Sequence, residues 1–431
     1  GLEPVSSTVT AANVVLNYST ITETITVSQD AGTPAQTLVD SNVGGESVSF
    51  VNPTTSLQIN GGDTGDDTIN VNGFGTSGGG FTASLTINGG TGNDTVSLNA
   101  DINFAAGNNL DVNLQNDNAP NPAGTDTINV GPNANLILTG TGAATLAASR
   151  NIAMASGSSI TTVNGNLTLN ANQQATPTPG YFYAVDLQNA TLTTSGRGNI
   201  VINGKGGSDT VAAPGVFSSL GLFVNGTGSI RSTSSAADAG LITIDGRGGN
   251  TGATGTVGVL IAGQATIASV SGDISLDAVG GETIGVDGVI SSYGLGLSGS
   301  TNSITSTGVV PSAASITITA TGGNVTSSQA GSYGLFNGGS ISTVDGPISV
   351  TGVGGNTTGV GTSGNLISVG VMIFGTGTIA SSGTGANAGS MTLLGTSGNT
   401  NVGAAQAFRQ DGALSTVDGD ISITGTSSTC V

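Results

Sequence analysis

The chain has 431 residues, of which 74 are Gly and only 7% are charged, and it contains no Trp or His. Ordinary helical domains are excluded because helix formers with charged faces are missing, and disorder is excluded because Val, Ile or Leu recur at alternate positions in segment after segment. A net charge of −19, from 25 acidic against 6 basic residues, leaves no face for a phosphate backbone, and no apolar run approaches the roughly 20 residues of a membrane-spanning helix.

No nucleic-acid partner and no membrane insertion are therefore expected. The chain opens at Gly1 without a basic and then apolar leader, which reads as a removed signal peptide or an excerpt of a longer protein. Its single cysteine, Cys430, excludes an internal disulfide and is read as an intermolecular thiol link or an incidental residue.

Residues 1–50 alternate apolar and polar side chains in two runs, near VTAANVVLNY and TITETITVSQ, without Gly-Gly turns. They are read as a β-rich cap over the first coil, because a solenoid end exposes unpaired backbone groups. Residues 51–196 carry LQINGGDTGDDTINV at 57–71, LTINGGTGNDTVSL at 85–98 and GTDTINV at 124–130. Their Asp-Thr pairs begin at Asp67, Asp94 and Asp126, in steps of 27 and 32. TTVNGNLTLN at 161–170 resembles later strand openings, and 171–186, with two prolines and YFY, reads as a lateral insertion.

Residues 197–431 repeat with a period near 74. Strand-opening glycines at Gly198, Gly272, Gly346 and Gly419 are spaced 74, 74 and 73. The second glycine of each Gly-Gly pair, with Gly398 ending the series after Gly207, Gly249, Gly281, Gly323 and Gly355, gives steps of 42, 32, 42, 32 and 43. Each 74-residue unit thus holds two coils. Three apolar runs per coil, such as PISVTGVGG, ISVGVMIFGTG and TIASSG between 347 and 383, predict three short strands. The fold expected is all-β, a parallel β-solenoid with right-handed winding favoured by the crossover rule. Its corners are Gly, Asn and Asp because turning repeatedly without a helix is expected to need positive φ. DGDISITGTSSTCV stops within a coil pattern, so the C-terminal edge is expected to be uncovered, continuing into further coils or pairing with another subunit.

Among candidate sites the sharpest is GGTGNDTVS, Gly89–Ser97, which matches the calcium-binding nonapeptide of RTX repeats as an isolated copy. Asp67, Asp94 and Asp126 are expected to stack on consecutive coils, where like charges repel unless a hard cation or a raised pKa relieves them. Two readings stand: Ca2+ in that column, or solvated turn carboxylates. No catalytic residue is assigned. Arg150, Arg197, Lys205, Arg231, Arg247 and Arg409 are dispersed, although Arg197, Lys205 and Arg247 are placed to approach one another on adjacent coils. Asp66 and Asp67 resemble the Asp pair of polygalacturonases, but that family's His-containing segment cannot exist here. ITIT at 316–319 puts two hydroxyls on one strand face, in the manner of ice-binding solenoids, but ISIT, ISVT, ITID and MTLL elsewhere break the array.

The GGxGxDT turns, the TVDGDISITG-type strand openings and the composition resemble large secreted bacterial repeat proteins of the filamentous-haemagglutinin-like adhesin and autotransporter-passenger class. That resemblance, over 55–431, implies an extracellular β-helix acting as adhesin, stalk or fibre. Its partner would be a cell-surface or matrix glycan or protein. The alternatives are a filament or sheath subunit joined to further copies of itself through solenoid edges, and a carbohydrate-active β-helix enzyme.

Overall fold

The inner columns of aliphatic side chains organise the structure. The computed structural model describes residues 5–43, 47–62, 64–75, 80–115, 124–212, 217–252, 254–285, 289–359 and 366–428, and Cys430 lies outside them. Among the described residues strands account for nearly all regular structure, with one short 3-10 turn at Gly385–Asn387, and no helix is long and apolar enough to cross a membrane. The protein is a parallel β-solenoid divided into two compact units, residues 1–178 with 190–200, and residues 179–189 with 201–431.

In the first unit Thr24–Gln29, Gln36–Ser41 and Ser47–Val51 form an antiparallel meander, which is the β-rich N-terminal segment. From there the pairing is parallel. Thr24–Gln29 pairs with Thr68–Val71, which is followed by Thr95–Leu98, Thr127–Val130 and Asn151–Met154. A second face runs Asn13–Asn17, Ser56–Gly62, Ser84–Gly90, Leu110–Leu114, Ala144–Ala148 and Leu167–Ala171. A third, beginning at Ile102–Phe104, completes a three-strand coil. Register places Leu57, Leu85, Leu110, Ala144 and Leu167 in one column and Ile59, Ile87, Val112, Leu146 and Leu169 in the next, all fully buried. Each Leu or Ile so buried contributes roughly 1.5–3 kcal/mol. Residues 183–186, expected in a lateral insertion, belong instead to the strand Tyr183–Gln188 of the second unit.

The second unit corrects the expected three strands per coil. Besides its three long faces it has a fourth sheet of Asp209–Ala212, Thr251–Gly252, Thr283–Ile284, Val325–Ser327 and Thr357–Gly359. These strands have only 2 to 4 residues and carry little side-chain pattern. About half of the ten-residue difference between long and short coils arises at one corner. Thr266–Ser269 passes to Ile274–Val279 through a short link, whereas Ser303–Ser306 reaches Ile316–Thr321 through a longer loop. Two loops of this kind, at 307–315 and 382–390, are latched by an aspartate of the following short corner: Val310 N–H donates to Asp345 Oδ2 (3.0 Å), and Gly385 N–H to Asp418 Oδ2 (2.6 Å); after the loop at 233–241 that position is Ser271.

The Gly-Gly pairs need a different explanation from the one the sequence suggested. In the first unit Gly62, Gly90 and Gly92 have positive φ, as expected of turns. In the second unit Gly248–Gly249, Gly280–Gly281, Gly322–Gly323 and Gly354–Gly355 do not; a Cβ on the first of each pair would meet a hydroxyl of the facing strand in its own coil, and one on the second would meet the backbone of the preceding coil. Close approach excludes the side chain. Buried hydroxyls knit these glycines together: Ser332 Oγ donates to Gly323 O (2.8 Å) and accepts from Gly355 N–H (2.7 Å), and Ser368 does the same with Gly355 O and Gly398 N–H.

Beside this ladder two sheets meet backbone to backbone. The strands Phe217–Asn225, Gly255–Ala262, Val289–Ser298, Gln329–Asn337 and Leu366–Ile373 align Gly221, Gly258, Gly294, Gly334 and Gly370, by the pairing of their flanking residues. A Cβ on Gly258, Gly294, Gly334 or Gly370 would fall within 2.8 Å of backbone atoms of the facing sheet. The facing column is Gly246, Ala278, Ala320, Gly352 and Gly395.

Candidate functional site

The strand parity changes at those aligned glycines. Leu222, Val259, Leu295, Leu335 and Val371 point into the core, while Leu220, Val257, Tyr293, Tyr333 and Val369 lie on the other side in a separate apolar layer. Leu220, Val257 and Leu260 pack with Tyr183, Phe217, Phe223 and Tyr293; Tyr333, Val369 and Met372 pack with Tyr293, Phe336 and Ile367. Tyr293 joins the two clusters. The rings touch along the stacking direction: Phe217–Tyr293 at 5.3 Å, Tyr293–Phe336 at 5.3 Å and 22°, and Phe336–Phe374 at 5.4 Å and 30°. Such pairs contribute about 0.5–1.5 kcal/mol each beyond burial. The floor is closed, but Tyr183, Phe217, Phe223, Tyr293 and Phe336 are half-buried and Phe374 is 47% exposed.

This stripe was not anticipated from the sequence. Its signal is a recurring apolar-Gly-apolar triplet: Leu220-Gly221-Leu222, Val257-Gly258-Val259, Tyr293-Gly294-Leu295, Tyr333-Gly334-Leu335 and Val369-Gly370-Val371.

The acidic column lies in the first unit, and the three aspartates do stack on consecutive coils. Glu23 N–H donates to Asp67 Oδ1 (2.8 Å), Asp67 N–H to Asp94 Oδ1 (2.8 Å), and Asp94 N–H to Asp126 Oδ1 (2.7 Å). Asp126 N–H donates to Ser149 Oγ (2.9 Å), whose hydroxyl donates back to Asp126 Oδ2 (2.6 Å). The aspartates are at most 2% exposed, so they are not solvated turn carboxylates. Each instead serves as the side-chain acceptor for the corner amide of the preceding coil, which a sheet ladder leaves unpaired at a bend. Burial pushes the Asp67 carboxyl up to about 6, with donation from the Glu23 amide opposing and the charges of Glu23 and Asp66 adding to the rise. Among the described residues no group of three or more His, Cys, Asp or Glu side chains is placed to hold a metal ion.

Asp66 diverges from Asp67: it is exposed and accepts from Asn93 N–H (2.8 Å), so the adjacent pair does not present two carboxylates to one cleft. Arg247 pairs with Asp245 (2.5 Å) and Asp277 (2.6 Å) in its own unit. Arg409 pairs with Asp411 (2.9 Å). Thr317 and Thr319 are exposed, as ITIT implied, but their strand neighbours at these columns include Asp277 and Leu394. An open groove of about 480 Å³ beside the first coils is lined by Asn17, Asn60 and Asn88 with Tyr18, whose hydroxyl burial pushes above its usual range. Comparison with family profiles, with curated proteins and with solved structures gave no match.

Proposed function

We propose that the protein is an extracellular structural and adhesive β-solenoid that presents a binding face instead of a catalytic cleft. The observation that carries this reading is the half-buried aromatic stripe on the outside of the second unit, apolar surface beyond what the filled interior requires. Aliphatic columns fill the coils, and hydroxyl, amide and carboxylate ladders take up the corner amides, so the scaffold holds its outer faces in place. Secretion rests on the low-charge, Gly- and hydroxyl-rich composition and on the resemblance to bacterial surface repeat proteins.

The test is retention of the full chain on intact bacterial and host-cell surfaces and on extracellular matrix. Saturable retention is expected, and its absence on every surface at micromolar protein overturns the proposal.

A further inference from the structure

We infer that the aromatic stripe of the second unit binds an uncharged linear polysaccharide laid along the coil-stacking direction, one sugar ring per coil. This rests on the adhesive reading and specifies its ligand. The stripe is two side chains wide and follows the ladder. In register, Leu220, Val257, Tyr293, Tyr333 and Val369 form one row, and Phe223, Leu260, Gly296, Phe336 and Met372 the next. The coils repeat at roughly 4.8 Å, close to the repeat of an extended pyranose chain. A pyranose offers an apolar C–H face to an aromatic ring and hydroxyls at its edge, which suits rings that are half-buried and open on one side. Gly331 leaves the neighbouring Tyr333 ring uncrowded; a Cβ there would meet that ring.

Charge selects the class of chain. The two rows carry no charged side chain between Asp186, paired with Phe223, and Arg409, paired with Met372. The chain carries −19 overall, so polyanions are repelled, and no carboxylate inside the stripe meets a polycation. Lipid surfaces call for a broad apolar face flanked by cations, and the whole chain has only 6 basic residues. An uncharged polymer with alternating apolar faces and hydroxyl edges fits what remains.

The experiment is affinity electrophoresis of the full chain through gels containing hydroxyethyl cellulose, xyloglucan, galactomannan or carboxymethyl cellulose, with phosphatidylcholine vesicle flotation and sedimentation run alongside. Retardation by at least one neutral glycan is expected, and weaker retardation by the carboxymethylated chain. Phe374→Ala, at the exposed end, and Phe336→Ala should each weaken binding by about tenfold with unchanged circular dichroism, the order expected for losing one ring contact. Three results overturn the inference: no neutral glycan retards the protein, both variants bind as the parent does, or the stripe variants abolish vesicle binding or dimerisation instead. If retention on cell surfaces persists in both variants, the adhesive reading stands and this ligand assignment fails; if the parent is retained on no surface, both fail.

Discussion

The backbone-to-backbone contact between sheets in the second unit predicts a graded response to single methyl groups. Gly352 faces Val371, and a Cβ on it would lie 2.6 Å from Val371 Cγ2 and within 2.8 Å of Gly370 C and O. Bringing that methyl contact to an ordinary 3.4 Å requires the sheets to part locally by about 0.8 Å. Overpacking of this kind costs about 1–3 kcal/mol, and the lower backbone entropy of Ala in a strand offsets about 0.5–1 kcal/mol, so Gly352→Ala should destabilise by about 1–2 kcal/mol. The coil before has solved the same problem differently. Ala320 occupies the register position of Gly352, and its triplet, Tyr333-Gly334-Leu335, has γ-branched Leu335 where β-branched Val371 stands. Gly352→Ala/Val371→Leu recreates that pair and should recover most of the loss. Native-state hydrogen exchange at the Val353 and Gly354 amides is the assay, because a solenoid opens locally; the single variant should exchange faster by about 5–30-fold. Unchanged exchange in Gly352→Ala, or no recovery in the double variant, refutes the argument from close approach.

Ser332→Ala removes a buried hydroxyl that both donates to Gly323 O and accepts from Gly355 N–H. It should cost about 1–3 kcal/mol, read as loss of protection at the Gly355 amide. For Asp67, the folded carboxyl titrates near 6 against an ordinary value of 3.8, so the folded state holds the proton more tightly than the unfolded one. The stability it contributes is complete below about pH 3.8 and is lost as pH rises through about 6. Asp67→Asn should flatten that part of the pH–stability curve and raise stability above pH 6, monitored by exchange of the 68–71 amides. Ca2+ is expected to leave the melting of the first unit unchanged, with and without chelator, because the Oδ1 atoms of Asp67, Asp94 and Asp126 already accept backbone amides; a calcium-dependent rise in melting temperature would instead assign the column a metal.

What could be read from the sequence was what repeats at fixed register. The strand openings at Ile274, Ile316, Ile348 and Met391 follow the long and short coil spacings because their inward residues stack directly on one another. The alignment of Asp67, Asp94 and Asp126 was legible for the same reason. Their burial was not, since Asp in a Gly-rich turn reads equally as solvated. The fourth sheet was hidden by brevity, as at Thr251–Gly252 and Thr283–Ile284, where two residues have no period. The aromatic stripe was hidden by the bend: alternation assumes that parity persists along a strand, and at Gly258 or Gly294 it reverses, so Val257 and Tyr293 would be assigned to the core that Val259 and Leu295 occupy. The Gly-Gly pairs misled because glycine serves two purposes, positive φ at Gly90 and close approach at Gly281, and composition alone does not separate them.

The aspartate latches also set how such a chain can change its length. The loop at 307–315 is tied to Asp345 of the next coil, and the loop at 382–390 to Asp418, so each of these two long corners is served by the short corner that follows it. Copying or deleting a single coil would set two long corners, or two short ones, side by side and strand a latch without its loop. Two coils are therefore the smallest piece that can be duplicated or lost with every latch intact, and residues 274–347 are one such piece. In this architecture the increment of growth is a pair of coils, and any face carried by the stack lengthens or shortens by the same step.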